Sequence, residues 1–157
     1  MKFEIWAIGK CAHSYLQNGI ELYCKKLKHY IPVEYVEWPE PKAARTADKE
    51  KSLKLQADYI ISKITSEDYL ILLDEQGAPF TSKQFASQIN KWMLQSSKRI
   101  IFLIGGAFGF HPSIYDRSKA KISLSNMTFS HDMVRLILLE QVYRACTILK
   151  NEPYHHD

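Results

Sequence analysis

Paired glycines directly after an apolar run form the strongest candidate for a ligand-binding segment in this chain. The run Ile100–Ile104 ends at Gly105 and Gly106, and Gly109 follows three residues later. Glycine residues let a backbone approach a ligand closely and adopt positive φ. Their spacing differs from the dinucleotide-binding fingerprint, and the segment lacks the lysine of a phosphate-binding P-loop, which argues against an ATPase. The alternative is a tight strand-to-helix turn that binds nothing.

A second candidate segment joins the last predicted strand to the last predicted helix. Its residues are Leu124, Ser125, Asn126, Met127, Thr128 and Phe129. Small hydroxyl and amide side chains are interleaved here with apolar ones, so the segment could line a half-apolar pocket and offer free backbone donors and acceptors. An ordinary polar turn is the alternative.

Three charged residues interrupt the apolar stretch that the sequence predicts as the last helix. Glu140 and Arg144 are four residues apart and can form an ion pair on one helix face. Arg135 and Arg144 are nine residues apart, which at roughly 100° per residue puts them on opposite faces. They therefore cannot both serve one site within a subunit, although one of them could point across a dimer interface. Solvent-facing charges are the alternative.

The C-terminal residues Tyr154 and His155 combine an aromatic ring with a group that titrates near neutral pH. Such residues could contact RNA or act in catalysis, and a disordered terminus is the alternative. The six histidines show no metal-ligand spacing, and the three cysteines form no Cys-x-x-Cys pair. We therefore expect no metal and three reduced thiols.

Short apolar runs alternate with amphipathic stretches along the whole chain, which predicts one α/β domain over residues 1–157. The predicted strands cover residues 3–8, 33–36, 69–73, 100–104 and 121–125. The predicted helices cover residues 13–28, 48–64, 81–94, 113–117 and 130–150, and the basic residues in 42–51 indicate a mobile loop. Strands that are apolar on both faces and separated by helices form a parallel sheet with helices on both faces.

Parallel sheets place their ligand sites at the carboxyl ends of the strands. That rule selects three loops, which follow Leu73, Ile104 and Ser125. Two of these loops contain the candidate segments described above. The last helix is apolar on almost every face, so it must be buried on almost every face. A chain of 157 residues can hardly achieve this alone, which predicts a homodimer.

Charge and hydropathy narrow the class of protein further. The formal net charge of +4 permits a nucleic-acid partner without requiring one. The longest apolar runs contain five residues, far fewer than a membrane span needs. The N-terminus lacks the apolar core and the cleavage site of an export signal, so we expect a cytoplasmic protein.

Seven short motifs occur in order along essentially the whole chain. They are Ala7-Ile8-Gly9-Lys10, Leu73-Asp74-x-x-Gly77, Ile104-Gly105-Gly106-x-x-Gly109, Leu124-Ser125-x-Met127-Thr128-Phe129, His131-x-x-x-Arg135, Glu140-Gln141-x-Tyr143-Arg144-Ala145 and Pro153-Tyr154-His155. Together they resemble the ribosomal large-subunit methyltransferase H family of the SPOUT superfamily. Two departures are visible: Ser130 replaces a proline of many members, and Ala107-Phe108 is a bulkier pair than some members carry, which could alter the shape of the pocket.

The resemblance implies an enzyme that transfers a methyl group from S-adenosylmethionine to N3 of a pseudouridine in 23S ribosomal RNA. The target base lies in the stem-loop that reaches the subunit interface of the ribosome. A cytoplasmic homodimer and a deep trefoil knot formed by the C-terminal segment are also implied. By position, the implied cofactor contacts are Leu73, Gly105, Leu124, Ser125, Asn126, Met127, Thr128 and Phe129.

The resemblance also suggests roles for the polar residues. A sulfonium methyl group is already electrophilic, so transfer requires orientation, a dry pocket and removal of the N3 proton. Arg135 or Arg144 would contact phosphate, and Tyr154, His155 or Arg144 would act at the target base. Two alternatives stay open: a nucleotide-dependent enzyme, which would need a phosphate-cradling lysine, and a non-catalytic RNA-binding module for ribosome assembly.

Overall fold

The computed structural model describes residues 1–156, which form an α/β fold around one five-stranded sheet. The strands are β1 (Lys2–Ile8), β2 (Val33–Trp38), β3 (Asp68–Pro79), β4 (Arg99–Ile104) and β5 (Ala120–Ser123). The helices are α1 (Ser14–Leu27), α2 (Lys49–Ile61), α3 (Ser82–Met93), α4 (Pro112–Arg117) and α5 (Met133–Leu149), with a 3₁₀ helix over Lys42–Ala44. Each predicted strand and helix is present. The 3₁₀ helix and the start of α2 occupy part of the segment in which we expected a mobile loop.

All strand pairs are parallel, and the strand order is β2-β1-β4-β3-β5. Successive strand residues point to opposite faces of the sheet. Ile5 and Phe102 therefore pack against α1, α3 and α5, while Trp6 and Leu103 pack on the opposite face with α2 and α4. The prediction of a parallel sheet with helices on both faces is confirmed.

Strand β3 continues past its predicted end at Leu73. Ile122 of β5 pairs with both Leu73 and Ala78, so the residues between these two bulge out of the ladder. Gly77 lets the strand return to its neighbour, because a Cβ there would lie 2.4 to 2.7 Å from backbone atoms of Ile122. The bulge places the polar residues 74–76 at the carboxyl edge of the sheet, where they line a cleft.

Polar side chains make hydrogen bonds at the start of three helices. The Asp48 carboxylate caps the first turn of α2, and Thr81 forms a reciprocal capping box with Gln84 in α3. Ser130 Oγ accepts a hydrogen bond from the Met133 N–H at 3.2 Å. Helix α5 begins at Met133, and Asp132 before it makes no side-chain capping hydrogen bond.

Helix α5 packs against both α1 and α3 on one face of the sheet. Each of its residues from 133 to 148 is buried or half-buried by the rest of the chain. Gly19 of α1 permits the close approach, because a Cβ there would lie 2.9 Å from both methyl groups of Leu136. The chain thus buries much of this apolar helix by itself, and the expected second subunit stays a prediction. Within residues 1–156, no helix is long and apolar enough to cross a membrane.

Candidate functional site

The carboxyl ends of β3, β4 and β5 open into one cleft of about 670 Å³. Small-molecule sites typically have volumes of roughly 300 to 1,000 Å³. Seven of the eight expected cofactor-binding residues line this cleft: Leu73, Gly105, Leu124, Ser125, Met127, Thr128 and Phe129. The eighth, Asn126, belongs to the same loop but not to the cleft wall. The three loops that the strand-end rule selects therefore meet at one site.

The glycine segment forms a tight turn in the wall of the cleft. The Gly109 N–H donates to the Gly106 carbonyl at 3.2 Å, and Gly109 has a φ of +72°. A Cβ on Gly105 would lie 2.9 Å from Phe110 Cζ, whereas a Cβ on Gly106 would meet nothing within 4 Å. Gly105 is therefore required for close packing, and Gly106 leaves its backbone accessible from the cleft.

An acidic side chain, Asp74, lines the cleft from the bulge of β3. The Tyr115 hydroxyl donates to Asp74 Oδ2 at 2.5 Å, and the Gln76 N–H donates to Asp74 Oδ1 at 2.8 Å. Burial, and then the bond to Asp74, raise the pKa of Tyr115 to about 12, so its hydroxyl is a donor at neutral pH. A carboxylate offers about four acceptor positions, which leaves Asp74 able to accept further hydrogen bonds from a ligand.

The loop between β5 and α5 is held by its own hydroxyl groups. Ser123 Oγ donates to the Ser125 carbonyl at 2.9 Å, and Ser125 Oγ accepts from the Met127 N–H at 2.9 Å. The Met127 side chain is 77% exposed at the mouth of the cleft. The loop presents apolar side chains beside polar groups, the mixture that the sequence predicts for this segment.

Arg135 is only 1% exposed, so it offers no phosphate contact to RNA in this fold, contrary to the expectation. Its guanidinium lies 3.2 Å from carboxylate oxygens of both Glu37 and Asp132. It also donates to the carbonyls of Gly9 at 3.0 Å and Ile8 at 3.3 Å. The side chain fixes the start of α5 to the ends of β1 and β2, and its role is to position these elements.

Arg144, Tyr154 and His155 come together with Glu140 near the other end of α5, and we call these four residues the tail cluster. Arg144 donates to Glu140 Oε1 from Nε at 3.1 Å and from Nη2 at 2.5 Å, which raises the pKa of Arg144. The Arg144 guanidinium lies 4.8 Å from the Tyr154 ring centroid, and Arg144 Nη1 lies 3.3 Å from His155 Nδ1. Burial raises the pKa of Tyr154, whose hydroxyl donates to Glu140 at 3.1 Å. That hydroxyl therefore stays protonated at neutral pH and cannot serve as the base.

The tail cluster does not line the cleft of its own chain. The cleft is lined at the start of α5 by Ser130, His131 and Val134. Arg144 comes ten residues after Val134, which is about 15 Å along a helix at 1.5 Å per residue. The structure thus joins the three candidate catalytic residues to one another and separates them from the candidate cofactor residues.

Several further residues of the cleft wall are absent from the sequence-based site, and those with polar or large aromatic side chains include Lys49, Asp74, Glu75, Gln76, Phe108 and Tyr115. The strand-end rule selects the loop after Leu73 but gives no role to residues 74–76, and residue 49 lies in the expected mobile loop. Phe108 could have been found from the sequence, because a bulky aromatic side chain is unusual inside a glycine turn. Within residues 1–156 there is no group of three or more side chains that could hold a metal ion.

Comparison with known proteins shows the family of this chain. A family model described as a predicted SPOUT methyltransferase matches residues 1–155, and the chain belongs to that family. Its relatives include proteins named ribosomal RNA large subunit methyltransferase H, which are 49% identical in Cytophaga hutchinsonii, 44% in Christiangramia forsetii and 43% in Parabacteroides distasonis. These alignments cover at least 99% of this chain and at least 99% of each relative. The family indicated by the seven sequence motifs is therefore confirmed.

Proposed function

We propose that this protein transfers a methyl group from S-adenosylmethionine to N3 of a pseudouridine in the inter-subunit stem-loop of 23S ribosomal RNA. The observation that supports this most strongly is the single cleft at the carboxyl ends of three neighbouring strands, in a chain of a methyltransferase family. Relatives of full length are named for methylation of large-subunit ribosomal RNA. A ribosomal substrate makes the cytoplasm the expected location.

The residues of the cleft fit S-adenosylmethionine. The backbone at Gly106 is open, because a Cβ there would meet nothing within 4 Å. The loop 124–129 would hold the adenosine part between apolar side chains and backbone groups, and Asp74 would accept hydrogen bonds from its hydroxyl or amino groups. When bound, S-adenosylmethionine supplies an electrophilic methyl group. The protein's own task is to orient the RNA base, exclude water and remove the N3 proton.

The tail cluster supports these last steps. Tyr154 is held protonated and can donate a hydrogen bond that orients the base, and Arg144 is a cation that can bind a flanking phosphate. A ring nitrogen of a neutral imidazole can accept a proton, so we assign proton removal to His155. Because the cluster lies about 15 Å along α5 from the cleft of its own chain, we infer a homodimer in which the cluster of one subunit completes the cleft of the other.

A C-terminal trefoil knot belongs to the same proposal. After β5 the chain passes the cleft and returns to the opposite half of the sheet, where Arg135 binds the carbonyls of Ile8 and Gly9. This return path supports a C-terminal segment that threads through an earlier loop. A knot would hold the loop 124–129 in a fixed conformation around the donor.

Two binding and transfer measurements test the proposal. Calorimetry with S-adenosylmethionine and with ATP should detect binding of the first only, whereas a nucleotide-dependent enzyme would bind ATP. Incubation of the protein with methyl-labelled donor and ribosomes that lack the modification should place label in 23S RNA. A non-catalytic assembly module would bind these ribosomes and transfer no label.

A further inference from the structure

Phe108 projects from the tip of the glycine turn at the mouth of the cleft. Its side chain is 67% exposed, although most large apolar residues of the chain are buried. The turn is closed by the hydrogen bond between Gly109 and Gly106, so the backbone that carries the ring is held at this position. Exposure of an aromatic ring forgoes the free energy of burying it, and exposed aromatic rings serve as stacking platforms for nucleobases.

A cation lies against the same ring. Lys49 Nζ is 5.0 Å from the Phe108 ring centroid, and Lys49 also lines the cleft. Among the described residues no carboxylate pairs with Lys49, whereas Arg45 and Lys54 nearby do have acidic partners. The surrounding residues 42–54 contain five basic and two acidic side chains. One edge of the cleft mouth is therefore both aromatic and positively charged.

An aromatic plane with an unneutralised cation matches the chemistry of unpaired RNA. Nucleobases of loops stack on aromatic side chains, and phosphates bind lysines. A base that enters an active-site pocket must leave its stack, so the nucleotides beside it lose a stacking partner that Phe108 could replace. An acidic protein segment would match the charge of this edge but would leave the flat face of the ring without a complementary group.

We propose that Phe108 and Lys49 form an RNA subsite at the mouth of the cleft. The ring stacks on a nucleobase next to the methylated one, and the Lys49 ammonium binds the phosphate of that nucleotide. This subsite rests on the proposed function, since it requires the substrate RNA to enter this cleft. It is distinct from the tail cluster and from the loop 124–129, and it explains why the bulky residue in the glycine turn points outward.

Paired variants of Phe108 test the stacking. Ribosomes purified from cells that lack this protein are the probe, with binding measured by co-sedimentation and methyl transfer measured under multiple turnover. Phe108→Leu keeps the apolar volume and removes the aromatic plane, so it should weaken ribosome binding and raise KM by at least about fivefold. Phe108→Tyr keeps the plane and should stay within about twofold of the original protein. Leu94→Ala is the control, because Leu94 is 81% exposed at the end of α3, at the opposite edge of the sheet.

A salt series tests the phosphate contact of Lys49. Lys49→Gln should weaken ribosome binding and reduce the slope of log affinity against log salt by about 1, because one fewer phosphate is neutralised. Lys91→Gln removes an exposed lysine from the last turn of α3, far from the cleft. Its salt slope should equal that of the original protein.

Calorimetry with S-adenosylmethionine separates the possible outcomes. If the subsite binds RNA, Phe108→Leu and Lys49→Gln should weaken ribosome binding. Both variants should keep the original affinity for S-adenosylmethionine. Equal ribosome binding by Phe108→Leu and the original protein would overturn the proposal. So would a loss of donor affinity in Phe108→Leu, because the ring would then belong to the donor pocket. Failure of the original protein to bind the donor or transfer methyl would instead reject the proposed function, and co-sedimentation would still show whether Phe108 contacts ribosomes.

Discussion

The Tyr115 hydroxyl donates a hydrogen bond to Asp74 Oδ2 over 2.5 Å, and so links α4 to the bulge of β3. This bond holds the Asp74 carboxylate in the wall of the cleft, where the donor is proposed to bind. The two residues are 41 positions apart in sequence. Their contact exists because β3 continues beyond Leu73 and meets β5 a second time.

Tyr115→Phe should destabilise the protein by about 1 to 2 kcal/mol, because it removes a hydrogen bond to a charged group. It should also weaken binding of S-adenosylmethionine several-fold, since Asp74 loses its orientation. Urea denaturation and calorimetry measure the two effects. Tyr69→Phe is the matched control, because the Tyr69 side chain packs on the core and its hydroxyl makes no hydrogen bond among the described residues. Equal stability of both variants would contradict the account of the bulge.

The pH dependence of stability should report the same bond. The pKa of Tyr115 is raised from 10.0 to about 12 in the folded chain. Its stabilising contribution is therefore complete below pH 10 and lost as the pH rises towards 12, where the folded hydroxyl also ionises. Tyr115→Phe should accordingly lose less stability than the original protein between these two pH values, as followed by chemical denaturation at each pH. If the free energy of unfolding fell equally with pH in both proteins, folding would not raise the pKa of the Tyr115 hydroxyl.

Gly77→Ala should destabilise the fold by about 2 to 3 kcal/mol, because the new Cβ would overlap the backbone of Ile122, which cannot move aside as a side chain can. Gly106→Ala adds the same methyl group where nothing lies within 4 Å, so its stability should change by less than about 0.5 kcal/mol. Thermal and urea unfolding of the two variants provide the comparison. A tolerated Gly77→Ala substitution would show that β3 and β5 do not approach as described.

Arg135→Met should cost about 3 to 5 kcal/mol of stability, because Glu37 and Asp132 would lose the buried cation that they share. Arg45→Met offers a comparison at an exposed and distant ion pair, where the loss should be no more than about 1 kcal/mol. Equilibrium unfolding shows whether Arg135 stabilises the fold or serves instead as an RNA contact. If Arg135→Met folded with normal stability and bound ribosomes poorly, the side chain would be an RNA contact after all.

His155→Ala should lower the single-turnover rate of methyl transfer by about 100-fold, if His155 accepts the N3 proton. The adjacent His156 is exposed, and His156→Ala should retain the original rate. Donor affinity should not change in either variant, because His155 is proposed to act on the RNA base and neither residue lines the donor cleft of its own chain. An unchanged rate in His155→Ala would remove His155 from the mechanism.

The sequence predicts the sheet and the position of the cleft because strongly local signals determine them. Short apolar runs that end at glycines, such as Ile100–Ile104, favour strands buried on both faces, and the glycines that follow mark the carboxyl end where ligands bind. The loop 124–129 is located by the same rule. Seven of the eight expected cofactor residues consequently line one cleft.

Features that depend on distant contacts were not predictable from local patterns. Asp74 is typical of a turn residue, and only the second pairing with Ile122 keeps the chain in the sheet beyond it. Arg135 has the polarity of a surface residue, and its burial depends on Glu37 and on backbone carbonyls that β1 and β2 bring to it. Helical periodicity placed Arg135 and Arg144 on opposite faces, but it could not show which of them is buried.

Mass spectrometry of 23S RNA is the decisive experiment for the proposed methyl transfer. Ribosomes from cells that lack this protein would be incubated with the purified chain and S-adenosylmethionine carrying a labelled methyl group, and the RNA would then be digested. We expect one labelled methyl group, attached to N3 of a pseudouridine in the inter-subunit stem-loop. An unmodified stem-loop in the presence of folded protein and donor would contradict the proposed methyl transfer.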